Sequence, residues 1–134
     1  ASFSLSEVRL GLIPSVISPY VIAAIGEREA RRYFLTAERF GAEEARRIGL
    51  VHEVATGDRL DEVVKNVAEQ LIIGGPNALA AAKKLIADVA RHPLDDALME
   101  ETARRIASIR VSTEGREGLN AFLEKRPPAW TKKS

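Results

Sequence analysis

The 134-residue sequence predicts a mainly helical chain, the back half of an α/β or α+β fold. Three observations carry the prediction. One short alternating stretch, Phe3 and Leu5 against Ser4 and Ser6, comes first and reads as a strand with one buried face. A long run of segments with helical periodicity follows it. Gly and Pro divide that run where helices start and stop. A strand followed by helices alone is an unusual order for a self-sufficient domain, and a lone strand is not stable. The reading therefore expects a sheet upstream of residue 1, or one supplied by another chain.

The strand covers 3–8 and carries Glu7 near its end. "GLIPSVISP" (11–19) is a loop, because Pro14 and Pro19 fix φ and remove donors. Ser18 caps a helix that begins at Pro19, and Gly26 closes it. "EREARRYFLT" (27–36) is a second, amphipathic helix. "GAEEARRIG" (41–49) is a third, with its acids first, its arginines last and Gly49 as a left-handed cap. "LVHEV" (50–54) is a short extended segment. Asp58 caps a fourth helix with Leu60, Val63, Val64, Val67 and Leu71 on one face. "IGGPNA" (73–78) breaks the chain before a fifth helix lined by Leu79, Ala82, Ile86 and Val89. "HP" precedes a sixth (94–110), and a seventh (112–126) stops at Pro127 and Pro128. The expected division is 1–54, with the strand, loop, first helices and a short strand, and 55–134, a helical region suited to oligomerisation.

Twenty Lys and Arg against 19 Asp and Glu leave a net charge of +1. Acids and bases alternate, as in "GEREARR", which is the pattern of solvated helix faces and not of a nucleic-acid surface. The tail "KRPPAWTKKS" is the only local basic surplus. With no cysteine there are no disulfides or thiolate metal sites. His52 and His92 lie far apart without carboxylates at ligand spacing, so no metal is expected. The most apolar stretch, "LGLIPSVISPYVIAAIG", is interrupted by two Pro and two Ser and falls short of a membrane span. No signal peptide is visible. The reading is a soluble, cytoplasmic chain with neither nucleic acid nor membrane as partner.

Among candidate chemical groups Glu7 stands out. Taken alone, a Glu at a strand end is usually solvated. Set among Val8, Leu10, Leu12 and Ile13, it can instead be a carboxyl that keeps a proton near neutral pH and delivers it to carbon or oxygen. Ser15 and Ser18 lack a nucleophile-elbow context, and "IGGPNA" lacks the Lys of a phosphate loop. Lys125 and Arg126, one turn after Phe122, either bind a phosphate or simply complement the end of the last helix.

Taken together, "FSLSEVRLGLIP", "IGEREARRYFLTAERFGAEEARRIGLVHEV", "GPNALAAAKKLI" and "STEGREGLNAFLEKRPPAW" resemble the C-terminal half of the enoyl-CoA hydratase/isomerase (crotonase) family. More narrowly, "EVRLGLIPSVISPYV" with "RRYFLTAERF" looks like the bacterial methylglutaconyl-CoA hydratase-like branch. The resemblance implies the C-terminal helical part of a ClpP/crotonase-like α/β fold, with the β-spiral, the oxyanion-hole amides and a second glutamate expected upstream. On that footing the chain by itself is expected to be inactive. The implied activity of the parent is addition of water across the Cα=Cβ bond of an unsaturated acyl-CoA, branched acyl groups included, in fatty acid or branched-chain amino acid catabolism. Glu7 would exchange a proton at Cα. Ile13, Pro14, Val16 and Ile17 would line the acyl pocket, and Phe122 and Lys125 would approach the CoA nucleotide, often of a neighbouring subunit. CoA is part of the substrate, so no separate cofactor is implied, and the parent would be a trimer or hexamer. After the loop proline the family commonly has a glycine-rich "GxGG" turn; here "SVISP" stands in its place and adds apolar bulk. The alternatives are an isomerase of the same fold and a non-catalytic helical assembly module.

Overall fold

The computed structural model describes residues 1–131. The chain divides into two compact units, residues 1–60 and 61–134. Within the basic tail, Lys132 and Lys133 lie outside the described residues.

In the first unit, β1 (Ser2–Phe3) pairs antiparallel with β2 (Phe40–Gly41), Phe3 opposite Phe40. The expected strand over 3–8 is thus only two residues long, and its partner comes from within the chain. Residues Glu7–Leu10 turn instead into a single 3-10 turn, so Glu7 sits on that turn rather than at a strand end. Alternation over so few residues does not distinguish a strand from an extended lead-in, and the turn's own backbone hydrogen bonds decide.

α1 spans Ser18–Thr36, with Pro19 in its first turn. Ile17, not Ser18, is the capping position, and the Ser18 hydroxyl donates to the Ser15 carbonyl at 2.9 Å. At Gly26 the backbone leaves the helix (φ 74°, ψ 165°) and then re-enters it. Only glycine takes that conformation without strain, so the expected two helices are one element broken at Gly26. α2 is Ala42–Arg47, and Gly49 just beyond it adopts φ 82°. Residues 50–54 are irregular and form no strand.

The core of this unit gathers Ile25, Ala30 and Tyr33 of α1, Phe40 of β2, and Ala45 and Ile48 of the α2 segment. Tyr33 is the largest side chain fully removed from solvent, at 1% exposure. Its ring lies 4.3 Å from that of Phe40, which in turn stacks on Phe3 at 5.6 Å. Such aromatic pairs contribute about 1 kcal/mol each beyond their buried area. The Tyr33 hydroxyl donates to Glu44 Oε1 at 2.5 Å, and Arg47 grips both oxygens of the same carboxylate at 2.6 Å.

In the second unit, α3 (Leu60–Ile72) follows a 3-10 turn over Gly57–Arg59; Asp58 lies in that turn and is not the helix cap. The short turn winds the chain into the helix without a capping side chain. α4 (Pro76–Val89), α5 (Asp96–Val111) and α6 (Thr113–Leu123) follow. Asp95 and Ser112 cap α5 and α6 by accepting from Leu98 and Gly115 amides. α6 ends three residues before the expected 126, because Lys125 takes a left-handed φ of 54°.

This unit is held by caps that reach between helices. The Glu114 carboxylate of α6 accepts from the Asn77 and Ala78 amides at 3.0 and 2.8 Å, which caps the start of α4. Gly75 is buried beneath it, and a Cβ there would meet Glu114 Oε1 at 2.4 Å. Desolvation disfavours the charged form of Glu114, but the donors from Asn77 and Ala78 outweigh it and hold the carboxyl below the usual range. Glu117 binds Arg126 through both oxygens at 2.7 and 3.0 Å and accepts from the Ala129 amide at 2.8 Å. Trp130 lies over Gly118 and donates its indole N–H to the Ile73 carbonyl at 3.1 Å.

The Glu44 clamp makes a pH prediction. Hydrogen bonds from Arg47 and then from Tyr33 hold its carboxyl down to about 2 from an ordinary 4.5. The folded value lies below the unfolded one, so the stabilisation is complete above pH 4.5 and fades as pH falls towards 2. Denaturation midpoints by circular dichroism from pH 6 to pH 2 should fall through that window. In Glu44→Gln they should start lower at pH 6 and fall less steeply.

Candidate functional site

Glu7 opens a turn closed by three backbone bonds. Arg9 N–H donates to the Ser6 carbonyl at 3.0 Å, Gly11 N–H to Val8 at 3.2 Å, and Leu12 N–H to Glu7 at 3.0 Å. The loop continues with Ser15 N–H to Ile13 and Ser18 N–H to Pro14, at 2.8 and 2.9 Å, and delivers the chain into α1. Where the sequence comparison expected glycines, "SVISP" turns without any left-handed residue between 12 and 17.

The Glu7 side chain is half-buried. Its Oε2 is shielded from solvent and has no hydrogen-bond partner among the described residues. Most buried polar atoms in native proteins are paired, because an unpaired one forfeits its hydration. A shielded carboxyl oxygen without a competing donor is suited to give a proton to a substrate atom or take one from it.

The apolar wall expected around Glu7 is not closed. Leu10, Leu12 and Ile13 are exposed, Leu10 by 75%. The turn over 7–10 and the loop after it leave these side chains directed to solvent. Of the expected acyl-pocket residues, Pro14 is buried, Ile13 and Ile17 are exposed, and Val16 is exposed by 84%. All four share the loop with Glu7. Phe122 and Lys125 stand on the second unit, Phe122 exposed by 80%. Lys125 is exposed and makes no ion pair among the described residues. Arg126, the other phosphate candidate, is committed to Glu117 and Glu124. These hydrogen bonds, Glu117 first, raise its pKa further.

Several recesses are open on the surface. One of about 270 Å3 in the first unit is lined by Phe3, Leu5, Val21, Ile25, Phe40 and Leu50, with Ser2 and Ser4 at its rim. Another, of about 520 Å3, runs between α4 and α5. Neither includes Glu7. His52 is exposed, and the His92 ring lies against the Asp88 carbonyl at the end of α4. No group of His, Cys, Asp and Glu able to hold a metal occurs among the described residues. No helix among them is long and apolar enough to cross a membrane.

Sequence reading alone missed Gly11, which holds φ 72° at the close of the Glu7 turn. The available signal was a glycine four positions after the carboxylate, directly ahead of "LIP". It also missed Glu114 and Glu117, whose partners lie outside helical spacing.

An expected consequence concerns Glu7 itself. Replacing a half-buried carboxylate, one of whose oxygens is shielded and unpartnered, by its neutral isostere removes a charge that gains no hydrogen bond there. The melting temperature of Glu7→Gln, measured calorimetrically, should equal or exceed that of the unsubstituted chain; a fall of several degrees would show that Glu7 is a stabilising residue.

Comparison with known proteins bears on this site. A family profile described as enoyl-CoA hydratase/isomerase matches residues 1–133. A carnitinyl-CoA dehydratase of Escherichia coli is 30% identical over 142 aligned positions, covering 97% of this chain and 51% of that protein. Among solved structures, an enoyl-CoA hydratase from Shewanella pealeana is 49% identical with a TM-score of 0.91, over 97% of this chain and 48% of that one. Pseudomonas aeruginosa AtuE is 42% identical with a TM-score of 0.92, over 98% and 51%. The chain spans about half the length of these relatives.

Proposed function

The chain belongs to the enoyl-CoA hydratase/isomerase family, and we propose that it supplies one of the carboxyl groups with which a hydratase adds water across the Cα=Cβ bond of an unsaturated acyl-CoA. The observation that carries this reading is the Glu7 carboxyl, with one oxygen dry and unpartnered on a turn at the head of the matching segment. In the addition, the water oxygen bonds to Cβ, its proton passes to a base, and a second proton reaches Cα as the thioester enolate collapses. Glu7 exchanges the proton at Cα. The enolate needs donors aimed at the thioester oxygen, and the water needs a positioned carboxylate. This reading assigns both to the half of the relatives' length outside these 134 residues. A dehydratase reaction is hydration run in reverse, so the carnitinyl-CoA dehydratase relative supports this chemistry over double-bond isomerisation.

Ile13, Pro14, Val16 and Ile17 line the acyl pocket in this reading. Val16 and Ile17 bring bulk where the family has glycine, which favours a branched or long acyl group such as methylglutaconyl. Phe122 offers a ring to the adenine of CoA, and Lys125 an uncommitted cation to its phosphates. CoA arrives as part of the substrate, so no separate cofactor enters the scheme. A cytoplasmic setting goes with it, where CoA thioesters are made and consumed.

The test is Glu7→Gln in a protein of the family's full length that contains this chain. Hydration of crotonyl-CoA and methylglutaconyl-CoA, followed by the loss of enoyl-thioester absorbance, should fall by about 10² or more. Near-normal turnover would refute the assignment. Conversion of a 3-enoyl-CoA without hydration would mark an isomerase instead.

Assembly into a homo-oligomer belongs to the same reading. Leu60, Val64, Val67 and Leu71 form an exposed apolar stripe on α3, each at least half exposed. A contiguous exposed apolar stripe of this kind is a feature of interaction surfaces. Sedimentation equilibrium at micromolar concentration should show self-association, and Val64→Lys with Val67→Lys should shift it towards monomer. A concentration-independent monomer would refute it.

A further inference from the structure

No side-chain hydrogen bond anchors the Glu7 carboxyl among the described residues, Oε2 being shielded and unpartnered. The point and direction at which the side chain leaves the backbone are set by the hydrogen bonds of its own turn. Within that turn Gly11 alone has a positive φ, 72° with ψ 19°, and its N–H reaches back to the carbonyls of the turn. The next residue's N–H donates to the Glu7 carbonyl itself at 3.0 Å, so the conformation at 11 determines whether this bond forms. A Cβ placed on Gly11 would meet no atom within 4 Å. Space is thus not what requires a glycine there; the left-handed backbone is.

We propose that Gly11 is a positioning residue for the Glu7 carboxyl, acting through the left-handed close of the 7–12 turn; this rests on the hydratase reading above. A residue that resists the left-handed region pulls the turn towards another geometry and moves the carboxyl off the reacting atom. Misplacement of a catalytic group by about 1 Å can lower a rate by ~10²-fold. The contacts proposed for Phe122 and Lys125 lie on the other unit, and crotonyl, a short acyl group, makes little use of the loop from Ile13 to Ile17. The effect therefore falls on kcat far more than on KM. Residue identity at 11 should matter by its backbone preference and not by its size. Asn tolerates the left-handed region and is larger than Ala, whereas β-branched Val does not tolerate it.

The experiment uses the full-length protein containing this chain, with crotonyl-CoA as substrate. Gly11→Asn should keep kcat within about twofold, and Gly11→Val should lower kcat by about tenfold or more, a larger change than in KM. Placed on Glu7→Gln, Gly11→Val should add no further loss, because its effect runs through that carboxyl. Unchanged kcat in Gly11→Val overturns the positioning role. So does an equal loss in Gly11→Asn, or a full additional loss in the double variant. A normal rate in Glu7→Gln overturns the functional reading and this inference together; a Glu7→Gln loss with a normal Gly11→Val rate overturns only the inference.

Discussion

A phenol buried against a carboxylate organises the unit that carries Glu7. Tyr33 enters the core from α1, and its hydroxyl meets Glu44 at the start of α2, where Arg47 holds the carboxylate from the other side. Arg47 also reaches Glu29 of α1 at 3.7 Å. Burial first, then the Glu44 hydrogen bond, raises the Tyr33 pKa, so the phenol stays a neutral donor. The same ring packs on Phe40, and Phe40 on Phe3. Through that stack the two-residue ladder of β1 and β2 is placed, and the chain leaves it four residues before the Glu7 turn.

The second unit is organised by one of the segments that carry the family resemblance, "EGREGLNAFLEKRPPAW". Its residues are occupied with one another and with α4. Glu114 caps α4 across some 36 residues of sequence, and Glu117 closes the return of the chain through Arg126 and Ala129. Gly115 passes so close to the preceding turn that a Cβ would meet the Ile109 carbonyl at 2.2 Å, and Ala121 is fully packed. Of its charged residues, Arg116 and Lys125 remain exposed and without an ion pair among the described residues, Lys125 on a left-handed backbone next to the Arg126–Glu117 pair. A motif that identifies a family is here mostly a packing device that leaves two cations, Arg116 and Lys125, free of ion pairs among the described residues.

Stability and chemistry pull in opposite directions at the head of the chain. Glu7 leaves an oxygen unpaired, and the residues that follow, from its turn through the loop into the start of α1, expose Leu10, Leu12, Ile13, Val16 and Tyr20. Neither feature helps an isolated fold. Both are intelligible if an acyl group and further protein surface meet this loop, as the proposed hydratase requires.

The sequence by itself determined the helices, their breaks at Gly26 and Gly49, the punctuation by Pro19 and Pro76, and the interleaved charges. These are local matters: φ limits of glycine and proline, and periodicities read within one or two turns. The motifs also determined the family and drew attention to Glu7. Only the tertiary structure decided that β1 is two residues long and pairs with β2, that Glu7 rides a 3-10 turn, and that Gly11 closes it. It alone tied Arg126 to Glu117 and Glu114 to α4. Each of these rests on a hydrogen bond or close contact whose partner no period of the sequence marks, and such bonds are settled only when the whole chain has packed.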